Sequence, residues 1–234
     1  MTAKKMLIRL ICMAMLLVWF GSYAQTFSLK IRPVFGTEKL VLHKQLYISS
    51  AGDSLYVDGF RFYISNIRLM KKGNAVYAGK EKYHLVDAED STTWLMEIPA
   101  AADTYDAICF SIGVDSVAKV SGAMDGDLDP VKGMYWAWNS GYINAKLEGH
   151  SPSCKTIHQA FEFHIGGYLA PYKTIREVQL SVKNRTNTLY LDADASTWFR
   201  GVNLKTRNSI VMPSKDAVKI ADNYSDMFRL VVLP

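Results

Sequence analysis

The sequence predicts an all-β chain folded as an antiparallel β-sandwich, with one or two short helices near its C-terminus. Three observations carry that expectation. Apolar and polar residues alternate in short runs from Phe27 onward, turn residues interrupt those runs at short intervals, and helical spacing is confined to the region past Asp194. A β-barrel is the alternative closure of the same strands.

The chain opens MTAKK, reaches Arg9, and then runs uncharged from Leu10 to Phe20 before Gly21-Ser22-Tyr23-Ala24. A basic start, an apolar stretch too short to span a bilayer comfortably and small residues before Gln25 read as a secretory signal peptide over 1–24, cleaved near Ala24. Cys12 lacks the small residue that normally precedes a lipid-modified cysteine. The expected product is one periplasmic or secreted domain over 25–234, with no linker or repeat and no attachment to a membrane after cleavage. The formal charge of +5 is partly a targeting effect, because Lys4, Lys5 and Arg9 leave with the leader. The remaining bases and acids nearly balance, so nucleic acid is not an expected partner. Cys109 and Cys154 then sit in an oxidising compartment, where a single disulfide is an open question.

Phe27, Leu29 and Ile31 alternate with Ser28, Lys30 and Arg32 as a half-buried strand. A weaker strand region, Leu40 to Ile48, contains His43. Leu55 to Met70 is rich in aromatic and β-branched residues and carries Asp58-Gly59 as a hairpin or bulge signal. Lys82 to Asp87 is a short strand in which His84 shares a side with Val86. Tyr105 to Asp115 has two apolar faces, as a central strand would. Ser121 to Gly133 reads as loop. Its Asp125, Asp127 and Asp129 fail the calcium-loop pattern, since Pro130 stands where that loop needs glycine and Trp136 where it needs a bidentate glutamate.

Gly133 to Gly149 holds two of the five tryptophans within three residues and reads as strand, turn, strand around Asn139-Ser140-Gly141. Phe161 to Ile165 alternates so that His164 points away from the apolar side. Ile175 to Val182 and Thr188 to Leu191 are two further strands. Ala195 to Arg200 and Ser214 to Met227 have helical spacing, with Ser214 as N-cap after Pro213. Phe228 to Leu233 closes the chain as an apolar run.

No nucleophile elbow, zinc-protease helix, Cys-x-x-Cys or phosphate-cradling loop is present, so an enzyme is not expected. Of the five histidines, His84 and His164 stand out because each lies within a short strand, where a rigid ligand set can be built. Two imidazoles on neighbouring strands suit copper or zinc, and a nearby thioether or aromatic favours Cu(I). The bland account of each is a hydrogen-bonded structural residue. Trp136, Trp138, Tyr135 and Tyr142 offer a different chemistry, stacking on sugar rings, set against core packing as their ordinary role.

FRFYISNIRL, YHLVD, FSIGVD, GDLDPVKGMYWAWNSGYINAKLEG, FEFHIGG and IADNYSDMF occur in that order between Phe60 and Phe228. Together they resemble the MbnP-like domain family of secreted or periplasmic copper-binding proteins. The resemblance implies a β-sandwich and a copper site of two histidines plus a kynurenine made by oxidising a tryptophan, with a dihaem MbnH-type peroxidase as partner in that oxidation. Carried onto this chain, it marks His84 and His164 as the metal ligands, with Trp136, Trp138 and Met134 as neighbours. It also exposes a departure. The modified tryptophan is expected two residues before the first ligand histidine, where this chain has Lys82, and lysine cannot become kynurenine. The site is then a plain two-histidine one, or borrows Trp136 or Trp138 in space, or has been lost.

Three functions therefore stand in competition: copper sequestration, storage or handover; a carbohydrate- or surface-binding module using exposed aromatics; and an interaction scaffold without the metal site. One ion held at ~2.0 to 2.1 Å from each imidazole requires nitrogens within about 4 Å of each other, so the placement of His84 and His164 discriminates among them.

Overall fold

The computed structural model describes residues 26–79, 83–99, 105–116, 118, 122–138, 141–183 and 188–231. The leader, Lys82 and the turn residues Asn139 and Ser140 lie outside the described residues. In chain order the strands are β1 (Thr26–Phe35), β2 (Glu38–Lys39), β3 (Tyr47–Ile48), β4 (Ser54–Lys71), β5 (Asn74–Ala78), β6 (Tyr83–Asp87), β7 (Leu95–Pro99) and β8 (Ala107–Ile112). They continue with β9 (Tyr135–Trp136), β10 (Gly141–His150), β11 (Ala160–Gly166), β12 (Arg176–Ser181), β13 (Thr188–Asp194), β14 (Ser209–Ile210) and β15 (Phe228–Val231). A 3-10 turn over Ala195–Phe199 and the helix α1 (Lys215–Ser225) stand near the C-terminus, as expected. Ser214 caps α1 by accepting from the Ala217 amide, which satisfies a donor the helix itself leaves open.

Two sheets build the sandwich. The smaller runs β15-β13-β1-β2, with β7 also on β1. The larger runs β12-β8-β4-β10-β11-β14, with β3, β5 and β6 added to β4 and β9 to β10. Between them lies one apolar layer in which Phe27, Leu29 and Ile31 of β1 meet the sheet of Phe60, Phe62, Ile108, Phe110, Phe161 and Phe163. Each fully buried phenylalanine contributes about 1.5–3 kcal/mol relative to exposure, so the alternation along each strand decides which face turns inward.

The antiparallel expectation holds for most pairings and needs one correction. β1 and β13 are parallel, from Ser28↔Thr188 to Val34↔Asp194, and so are β11 and β14. No hairpin links these pairs, so no turn geometry forces their direction. Asp58-Gly59 proves to be a bulge, not a hairpin. β4 passes straight through it while its partner register on β10 shifts between Glu148 and Gly149. The extra residue reverses alternation, so Leu55 and Val57 before it and Phe60 and Phe62 after it all reach the core. β5 and β7 were not anticipated. Cys109 and Cys154 are free thiols, both buried; Cys109 lies within β8, and Cys154 Sγ is 3.7 Å from the Leu204 carbonyl oxygen.

Candidate functional site

Four adjacent strands lay a row of charged side chains across the outer face of the larger sheet. Register pairs His164 on β11 with Lys146 on β10, Lys146 with Arg61 on β4, and Arg61 with Asp87 on β6. Directly paired residues project to the same side. His164 alternates with Phe163 and Ile165, which fill the core, so the whole row faces outward. Glu148, two residues beyond Lys146, bridges it: His164 Nε2 lies 2.7 Å and Lys146 Nζ 3.0 Å from Glu148 Oε1. Arg61 Nε donates to Asp87 Oδ2 at 2.6 Å.

Burial pushes the Glu148 carboxyl up, but the hydrogen bond from His164 and the neighbouring Lys146 charge outweigh it and hold the pKa down at about 2. Glu148 is therefore ionised and can only accept, so His164 Nε2 carries the proton of that bond. In the neutral imidazole Nδ1 is then the lone-pair nitrogen.

His84 sits at the edge of the same sheet. Its Nε2 donates to the Thr93 carbonyl oxygen at 2.7 Å, and its Nδ1 stands 3.5 Å from Asp127 Oδ2. Asp127 also accepts from the Leu85 amide at 3.0 Å and from Lys132 Nζ at 2.6 Å. Burial opposes its ionisation, yet the Lys132 and Leu85 bonds prevail and hold its pKa low. Two of the aspartates read as a rejected calcium loop, Asp127 and Asp129, are thus stitching, with Asp129 accepting from the Val131 amide. A cavity of about 280 Å³ opens beside this corner, lined by Arg61, Leu85, Asp87, Asp90, Thr93 and Lys132 among others.

The structure does not bring His84 and His164 together. His84 is on β6 opposite Ile64, and β4 and β10 intervene before β11. At ~4.8 Å per strand step this alone is about 14 Å. His84 also alternates with Tyr83 and Leu85, sharing the side of core Val86, whereas His164 faces outward. The pair as placed does not fit one shared ion. Among the described residues, no group of three or more His, Cys, Asp or Glu side chains is arranged to hold a metal.

The aromatic stretch forms the expected strand pair, with Trp136 opposite Gly141 and Tyr135 opposite Tyr142. It divides in role. Trp136 is buried over Gly166, within a second core that holds Tyr63, Leu85, Leu128, Met134 and Tyr142. Trp138 is 64% exposed and leans on Trp136 at 5.6 Å between ring centroids. A platform of several exposed aromatics is therefore absent among the described residues of this stretch.

Sequence reasoning missed a different histidine pair. His43 Nδ1 and His150 Nδ1 lie 3.1 and 2.8 Å from the two carboxylate oxygens of Asp58, and His150 stacks on Tyr56. The bulge signal at Asp58 was legible, but nothing local links it to residues 15 and 92 positions away.

The family model MbnP matches residues 24–213. Among solved structures, MbnP from Methylosinus trichosporium is similar in fold, with a TM-score of 0.51 and 16% identity over 75% of this chain and 78% of that one. No curated protein matches. No helix among the described residues is long and apolar enough to cross a membrane.

Proposed function

The chain belongs to the MbnP family, and on that premise we propose that it is a non-enzymatic, extracytoplasmic protein that carries copper as cargo on separate histidine positions. The supporting observation is the state of the two imidazoles. Each has its Nε2–H committed to an acceptor, Thr93 O for His84 and Glu148 for His164, and metal-binding histidines are commonly oriented in this way. Nδ1 is left as the donor. At His84 that nitrogen has a carboxylate oxygen, Asp127 Oδ2, as its neighbour at 3.5 Å. Imidazole with carboxylate is a nitrogen and oxygen set, which suits Cu(II) better than Cu(I). A dihaem peroxidase partner, implied by the family resemblance, would find Trp138 as the exposed indole of the aromatic stretch.

Competition titration with Cu(I) and with Cu(II), on the mature chain and on His84→Ala, His164→Ala and the double variant, tests this reading. Each single variant should lose one weak site and the double variant both. Unchanged binding by the double variant overturns the assignment. A wild type that binds neither ion supports the second reading, an interaction scaffold without a metal site, which the distance between the two strands favours.

A further inference from the structure

A second concave site lies on the smaller sheet, where the outer edge of β1 loses its strand partners; its Trp94 follows Thr93, whose carbonyl oxygen accepts from His84. β7 pairs with β1 as far as Lys30, and β2 takes over at Val34. Between Lys30 and Val34 no strand pairs with this edge, although the Leu40 amide donates to the Pro33 carbonyl oxygen at 3.0 Å, and a cavity of about 380 Å³ opens there, lined by Lys30, Arg32, Pro33, Val34, Lys39 and Trp94. Its size is at the lower end of the range for small-molecule sites. Trp94 is held in place because its Nε1 donates to the Asp87 carbonyl oxygen at 2.7 Å. Pro33, Val34 and the indole make an apolar floor, and the methylene stems of Lys30 and Lys39 extend it while their ammonium heads stay in water.

The cations are not equivalent. Arg32 Nε is bound to Asp192 at 2.8 Å, so its charge is answered within the fold. Lys30 and Lys39 are exposed, and no ion pair holds either ammonium among the described residues. An apolar floor between two uncommitted positive charges complements a molecule with a flat apolar body and one acidic head. We propose that this pocket binds a small organic monoanion of that kind, with Trp94 and Pro33 against its body and Lys30 and Lys39 on its carboxylate or sulfonate. Indole supplies broad apolar contact at little entropic cost, and the lysines supply the selection for charge.

Calorimetric titration of the mature chain with 2-naphthoate, and with 2-naphthalenemethanol as its uncharged counterpart, tests the site. The acid should bind roughly tenfold more tightly than the alcohol. Lys30→Gln combined with Lys39→Gln should remove that preference while leaving alcohol binding and the melting temperature in place, since both lysines are exposed. Equal affinity for acid and alcohol in the wild type, no saturable binding of naphthoate, or naphthoate binding untouched by the double substitution would each overturn the proposal. None of these outcomes depends on copper, so the two readings fail independently.

Discussion

Glu148 accepts from His164 and lies against Lys146, and these contacts set its acidity below the ordinary carboxylate range, at about 2. Because the folded pKa lies below the unfolded one, the contribution is complete above the unfolded value, near 4.5, and is lost as pH falls toward 2. Glu148→Gln should therefore flatten the acid limb of stability: urea denaturation at about pH 5 and about pH 2 should show a smaller drop in the variant than in the wild type. Gly166 illustrates a steric constraint on the same face. A Cβ there would stand 2.6 Å from Trp136 Cζ3 and 2.8 Å from the Tyr142 carbonyl oxygen. One of these neighbours is backbone and cannot swing away. Gly166→Ala should cost about 1–3 kcal/mol and shift the Trp136 fluorescence, and a variant with wild-type stability and spectrum would contradict this packing.

Among the elements, β6 shows how a short strand is held at a sheet edge. One side is zipped to β4, and on the other the Leu85 amide is taken by Asp127, which Lys132 holds in turn. Asp127→Ala should speed hydrogen exchange at Leu85 and lower stability by about 1–3 kcal/mol, the penalty for an amide left without its acceptor. Unchanged protection at Leu85 would show that the clamp is dispensable. The alternation of β1 and β11, the two apolar faces of β8 and the cap at Ser214 were all legible, because each is a property of neighbouring residues. The direction of β13 beside β1 was not, and neither was the separation of His84 from His164. Both depend on which distant strand becomes a neighbour, and a strand's own pattern reports its buried face without naming its partner. β7 was missed for a related reason: Leu95–Pro99 is short and has Glu97 at its centre.

At the scale of the molecule, the smaller sheet is closed by its least local pairing. β1 and β13 come from opposite ends of the chain, and Asp192 locks them: it accepts from Arg32 Nε at 2.8 Å across that junction and from Arg229 Nη2 at 3.0 Å on β15. The carboxylate is nearly inaccessible, with 5% of its side chain exposed, while the two guanidiniums are 36% and 42% exposed. Removing the carboxylate strips Arg32 of its ion pair, while Arg229 keeps Asp194 and the Gly36 carbonyl oxygen, so one uncompensated guanidinium stays at the junction. Because the arginines keep some solvent, Asp192→Ala should cost about 3 kcal/mol, the lower end of what breaking a buried pair costs, and Asp192→Asn somewhat less, since the amide oxygen still accepts. Contacts at this sequence separation form late, after the loop between them has closed. The loss should accordingly appear mainly as faster unfolding, with refolding little changed. Stopped-flow unfolding and refolding arms on the alanine variant measure the division directly, and a slowed refolding arm with unchanged unfolding would place the β1–β13 junction in the folding nucleus instead.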